Sequence, residues 1–158
     1  MEIETGLTIG RTLANRTHLL ASKVLGLSVM AKAKVFLVDD NADIRRTVTR
    51  LFHVHPSFEV VGEAAHGREA VEKAPSLRPD LIVLDLSMPV MNGLDAAKLL
   101  RKILPEAWII LLTAHEFPEV EKLLRESGIH AVVPKSKAST HLIPQAQLLL
   151  YPPSRTAS

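Results

Sequence analysis

The chain has 158 residues, of which 47% are apolar, 23% charged and 4% aromatic, with no cysteine and a formal net charge of +2. That length suits one domain with a substantial core and a few tens of residues to spare. Disulfides and cysteine–zinc sites are excluded, any transition-metal site would fall to the seven histidines, and uncharged stretches such as Ala107–Ala114 are strand-sized, which argues against membrane insertion.

Residues 1–33 stand apart. They hold Arg11, Arg16, Lys23 and Lys32 against Glu2 and Glu4, so the whole basic excess lies in this leader and the remaining residues are balanced. A balanced body gives no electrostatic reason to expect direct nucleic-acid binding. Leu13, Leu20, Val24 and Leu27 could line one face of a helix. Val24–Met30 followed by Ala31-Lys32-Ala33 faintly resembles a signal peptide, but Lys23 interrupts the apolar region and Glu2 and Glu4 carry the wrong charge for its front. The leader reads as a helical or disordered extension, or as sequence upstream of a true start at Met30. Asn15-Arg16-Thr17 matches a glycosylation acceptor, a pattern frequent by chance, and a cytoplasmic protein is expected.

From Lys34 onward, short apolar runs alternate with amphipathic ones. The predicted strands are Val35–Val38, Phe58–Val61, Leu81–Leu84, Trp108–Leu112 and Ala131–Val133, and four of the five are continuously apolar, as when both faces of a strand are covered. Between the first two, Ile44, Val48, Leu51 and Phe52 share a helix face that Asn41 or Asp43 could cap. Ala70, Val71 and Ala74 follow Gly67, and Leu94, Ala97, Leu100 and Ile103 form a third stripe. Val120, Leu123 and Leu124 form a fourth, ending at Ser127-Gly128. The last helix is expected over His141–Leu150 with Pro144 in its first turn, stopped by Pro152-Pro153. Five βα units predict one α/β domain over residues 34–150, a flavodoxin-like parallel sheet in the order 2-1-3-4-5 with helices on both faces, followed by a stub at 151–158.

The chemistry gathers where the strands end: Asp39 and Asp40 after the first, Asp85 after the third, Thr113 after the fourth and Lys135 after the fifth. In a parallel sheet these ends share one edge, and neighbouring strands are about 5 Å apart, so three carboxylates crowd into one pocket. They resist full ionisation unless something positive sits among them. A divalent cation with oxygen ligands, Mg²⁺, balances the aspartates together with Lys135. Such a site can receive a phosphoryl group on a carboxylate, with Lys135 holding one phosphoryl oxygen and Thr113 donating to another. Strand-end Asp and Thr also cap helices, but four strand ends of five carrying the needed group favours a site.

The motifs Val38-Asp39-Asp40-Asn41, Leu84-Asp85-Leu86-Ser87-Met88-Pro89, Asn92-Gly93, Leu112-Thr113-Ala114 and Pro134-Lys135-Ser136 resemble the receiver domain of two-component response regulators (the CheY-like superfamily), in style closest to LuxR/NarL-type receivers. The resemblance runs from about Lys34 to Leu150. It implies Asp85 as phosphoacceptor, Asp40 and Asp85 as direct Mg²⁺ ligands, Asp39 acting through water, and Ser87 through its backbone carbonyl. It implies a histidine kinase or histidine phosphotransfer protein as donor, and Gly93 as the glycine that turns the loop back. Ser87 and His115 would flank the path of hydrolytic water.

One departure stands out: Val132 occupies the place, three before the lysine, where the family usually carries Tyr or Phe. Valine cannot make the aromatic swing that accompanies movement of Thr113. The expected function is a single-domain receiver acting on a downstream protein in trans, not an enzyme beyond catalysis on itself. Two other classes are weighed against it. A phosphorylation-independent binding module draws on Val132. A phosphatase of the haloacid-dehalogenase kind needs an Asp-x-Asp pair where this chain has Asp39-Asp40-Asn41. His53 and His55 read as a solvated helix end rather than a metal site, and the charges Glu119, Glu121, Lys122, Arg125 and Glu126 as a solvated face.

Overall fold

In the first strand, residues of odd and even number face opposite ways, and both directions are apolar. The computed structural model describes residues 31–114 and 126–153 and shows why. It contains β1 (Ala33–Val38), α1 (Ala42–His53), β2 (Phe58–Ala64), α2 (Gly67–Leu77), β3 (Leu81–Asp85), α3 (Gly93–Ile103), β4 (Trp108–Thr113), β5 (Ala131–Pro134), a 3₁₀ turn (Lys135–Lys137) and α4 (Ala138–Leu150). The strands form one parallel sheet in the order β2-β1-β3-β4-β5. Val35, Leu37, Val83, Ile110 and Leu112 pack with Val48, Phe52 and Leu142 on the face covered by α1 and α4. Phe36, Val38, Ile82, Leu84, Ile109 and Leu111 pack with Ala70, Ala74, Ala96, Ala97 and Leu100 under α2 and α3. The central strands β1, β3 and β4 are buried nearly throughout, whereas the edge strands β2 and β5 are partly exposed.

The helix starts follow side-chain chemistry. Asn41 accepts the N–H groups of Asp43 and Ile44 at 2.9 and 3.2 Å, and Asn92 accepts that of Asp95 at 2.9 Å. At α2 the cap is His66, whose Nδ1 accepts the Glu69 N–H at 3.2 Å, a role its sequence context did not advertise.

Two expectations need correcting. The last helix begins at Ala138, not His141, so Pro144 lies inside it. The missing N–H costs the helix an internal bond, but Ala138, Leu142 and Ala146 bury one stripe against the sheet and hold it together. Pro75 lies similarly inside α2, near its end. Ile103, placed on the α3 apolar stripe, is exposed. The stripe Val120, Leu123 and Leu124 lies outside the described residues, although Gly128 at its expected end has φ +74°, as a helix-terminating glycine would. Residues 1–30 of the leader and 154–158 of the stub also lie outside them. No helix among the described residues is long and apolar enough to cross a membrane.

At the opposite end of the sheet from the aspartates, His130 Nδ1 accepts the Ile109 N–H at 3.0 Å, which requires an unprotonated nitrogen. Burial, with the charge of Arg101, pushes this imidazole below its ordinary 6.5. As pH falls below about 6.5 the unfolded chain takes up a proton that the folded one refuses, so stability declines. Denaturant unfolding at pH 7.5 and 5.5 (about one unit either side of that value) should show a shallower decline in His130→Gln than in wild type. Parallel declines would place the effect elsewhere.

Candidate functional site

Asp39 directly follows β1, and Asp85 is the last residue of β3. These strands are neighbours with Val38 opposite Leu84, so the two carboxylates emerge side by side. Both are 4% exposed. Asp39 Oδ1 accepts the Asn41 N–H at 2.9 Å. Lys135, carried past β5 into the 3₁₀ turn, places Nζ 2.7 Å from Asp39 Oδ2 and 3.2 Å from Asp85 Oδ1. Asp40 is exposed beside them, and one carboxylate oxygen from each of Asp39, Asp40 and Asp85 lies within 4.8 Å of the others. Thr113, 1% exposed, ends β4 one residue beyond Leu112, the register partner of Asp85. Ser87 is exposed in the loop after β3, and Val132 is half-buried against the α2–α3 layer. His115, and Glu119, Glu121, Lys122 and Arg125 of the charge cluster, lie outside the described residues, while Glu126 is exposed. His53 is exposed, and His55 Nε2 meets Gln147 Nε2 at 3.1 Å.

The electrostatics follow from crowding. Burial, followed by the negative charge of Asp39, raises the Asp85 carboxyl above the ordinary carboxylate range, and Lys135 opposes the shift. Burial alone would lower the Lys135 ammonium, but its hydrogen bond to Asp39 and the charges of Asp39 and Asp85 outweigh that and raise it. Three carboxylates against one ammonium leave the pocket negative. Asp39 Oδ2 is buried and has no partner besides the Lys135 ammonium at 2.7 Å. An all-oxygen, anionic set of this kind fits a hard dication such as Mg²⁺.

Two features support the pocket. Arg45, on the inner side of α1, donates from a guanidinium nitrogen to the Asp39 backbone carbonyl at 2.6 Å and pairs with Glu63 at 2.9 Å. Sequence reading passed over it, because an arginine on an amphipathic helix carries no mark of what it reaches. Gly93, singled out by its motif, donates its N–H to the Leu86 carbonyl at 2.9 Å, and a Cβ there would press on the Asp85 carbonyl oxygen and sit 3.0 Å from Leu86 Cα. Gly93→Ala is therefore expected to cost about 1–3 kcal/mol in denaturant unfolding, as forced overpacking does. An unchanged midpoint would mean the loop yields freely.

Fold and site together define a doubly wound α/β domain with an acidic pocket, of a chemistry that suits a hard cation, at the carboxyl ends of its strands. The chain belongs to the response regulator receiver domain family, whose model matches residues 35–147. Over 108 residues it is 41% identical to a protein-glutamate methylesterase/protein-glutamine glutaminase 1 of Carboxydothermus hydrogenoformans, a match covering 67% of this chain and 32% of that protein. Over 81 residues it is 46% identical to the chemotaxis protein CheY of Thermotoga maritima, covering 51% of this chain and 67% of CheY. Among solved structures, a LuxR-family two-component response regulator from Aurantimonas sp. SI85-9A1 superposes with a TM-score of 0.71 at 30% identity, covering 76% of this chain and 86% of that one. Because the chain spans so little of the methylesterase, that enzyme's activity does not transfer with the match. The family's members are signalling phosphoacceptors that bind Mg²⁺ at an acidic pocket and interact with histidine kinases, phosphotransfer proteins and downstream effectors.

Proposed function

We propose that this receiver accepts a phosphoryl group on Asp85 from a phosphohistidine of a kinase or phosphotransfer protein in the cytoplasm, and thereby changes its affinity for a separate partner protein. The observation that carries the reading is the convergence of Asp39, Asp40 and Asp85 within 4.8 Å, with Lys135 against two of them. An Asp85 carboxylate oxygen forms the new bond to phosphorus as the phosphorus–nitrogen bond to the donor imidazole breaks, and the imidazole leaves with a proton. Lys135 holds one transferring oxygen and Thr113 donates a hydrogen bond to another. Asp40 and Asp85 would hold Mg²⁺ directly, Asp39 through water and Ser87 through its backbone carbonyl. When bound, the ion neutralises charge on the phosphoryl oxygens. The phosphorylated and free forms then differ in population between two conformations, which is what a partner reads.

The test is incubation with acetyl phosphate and Mg²⁺, followed by intact-mass measurement. One acid-stable, base-labile phosphoryl adduct, prevented by chelating the metal, is expected. A protein that takes neither this adduct nor beryllofluoride would be a passive binding module.

A further inference from the structure

Strand β2 breaks its own alternation. Phe58, Val60 and Ala64 have the same parity, so a regular strand would point all three to one face of the sheet. Phe58 and Val60 pack on the side covered by α1 and α4, yet Ala64 packs on the other, under α2 and α3. The switch falls between Val60 and Gly62. These residues pair with Val35 and Phe36, neighbours in β1, so Val61 is an extra residue, a β-bulge in an edge strand. Gly62 already follows the new phase, since a Cβ there would lie 2.7 Å from Leu77 Cδ1 of α2.

Glu63 bears the consequence. Without the extra residue its side chain would fall on the α2 side. With it, the carboxylate reaches α1, where Oε2 accepts from Arg45 Nε at 2.9 Å and Oε1 from the Thr49 hydroxyl at 3.1 Å. Arg45, held in this way, donates from Nη1 to the Asp39 carbonyl at 2.6 Å. That carbonyl belongs to the peptide unit joining Asp39 to Asp40, two of the three clustered carboxylates. The Asp39 N–H donates to the Ala64 carbonyl at 3.1 Å. Both backbone groups of Asp39 are therefore fixed by β2, one directly and the other through Arg45. Charge does not explain a guanidinium here, because it repels a dication. Geometry does, since its rigid fork grips a carboxylate and a carbonyl at once.

We propose that Arg45 is a positioning residue: Glu63, aimed at it by the bulge at Val61, sets the guanidinium so that it fixes the Asp39–Asp40 peptide unit and the directions in which these carboxylates meet Mg²⁺. This rests on the receiver function proposed above. Charge and geometry call for effects of opposite sign. Arg45→Met removes a positive charge, which alone would tighten Mg²⁺ binding. Loss of a group that orients metal ligands instead weakens calorimetric Mg²⁺ affinity about tenfold, the expected result. In metal-free protein the same variant should speed hydrogen exchange at the Asn41 amide, which Asp39 Oδ1 accepts at 2.9 Å. Glu63→Gln still offers an oxygen to Arg45 and should keep Mg²⁺ affinity within about twofold of wild type. Glu63→Ala leaves the guanidinium unheld and should approach Arg45→Met. This pair carries the test if Arg45→Met does not melt cooperatively.

Unchanged or tighter Mg²⁺ binding in a cooperatively melting Arg45→Met, or equal Mg²⁺ affinities in Glu63→Gln and Glu63→Ala, overturns the proposal while leaving the receiver function intact. A wild-type protein that neither binds Mg²⁺ nor takes the acetyl phosphate adduct overturns both.

Discussion

Asp85→Asn should abolish the acetyl phosphate adduct and, at the same time, make the metal-free protein harder to unfold. Burial and the charge of Asp39 hold the folded Asp85 carboxyl above its ordinary 3.8. The folded state therefore keeps a proton that the unfolded chain releases, and stability falls as pH rises from about 3.8 through the folded value. At neutral pH the ionised group costs the fold free energy unless a cation answers it. Asparagine keeps the shape without the charge, so its denaturation midpoint without metal should exceed that of wild type. Under the proposed function, added Mg²⁺ should stabilise wild type by mass action and reverse the order, since the variant lacks one of the proposed ligands. Equal midpoints without metal, or equal gains on adding it, would sink this account.

Lys135→Met is expected to have the larger effect on stability. The lysine stands between two carboxylates, each nearly buried, at 2.7 and 3.2 Å. Removing one partner of a buried ion pair typically costs about 3–5 kcal/mol, because the remaining charge is stranded, and Asp39 Oδ2 has no other hydrogen-bond partner to fall back on. The raised pKa of Lys135 places this contribution throughout the range below its ordinary 10.5, fading only as pH climbs through the folded value. Mg²⁺ should recover part of the loss by supplying positive charge to the same oxygens. At saturating Mg²⁺ the adduct should still form about 10²-fold more slowly, the usual cost of losing one preorganised group on a charged transition state. A variant that unfolds like wild type without metal would show that the ion pair contributes no net stability.

Much of the fold was legible because strands buried on both faces carry little else but apolar residues. Val35–Val38, Leu81–Leu84 and Trp108–Leu112 could be placed without any partner in view, and the polar residues ending them marked the site. Pro144 was misplaced for the opposite reason. Its local rule says helix start, and only the burial of Ala138, Leu142 and Ala146 overrides it. His66 as a cap, Arg45 on the Asp39 carbonyl and the bulge at Val61 left no trace in residue type, since each depends on where a distant backbone group lies. Val132 shows the converse: the departure was visible at once, and the structure places its half-buried side chain against the α2–α3 layer.

The sequence by itself determined the alternation of strands and helices, the edge at which three aspartates and a lysine gather, and the charge that calls for a cation. These follow from periodicity and composition, which are local. The tertiary structure alone decided that Lys135 lies between Asp39 and Asp85, that burial raises Asp85 ahead of the charge of Asp39, and that the Met91 carbonyl ties the loop behind Asp85 to α2. Those are matters of distance between residues far apart in the chain, and electrostatic and hydrogen-bond energies are set by that distance.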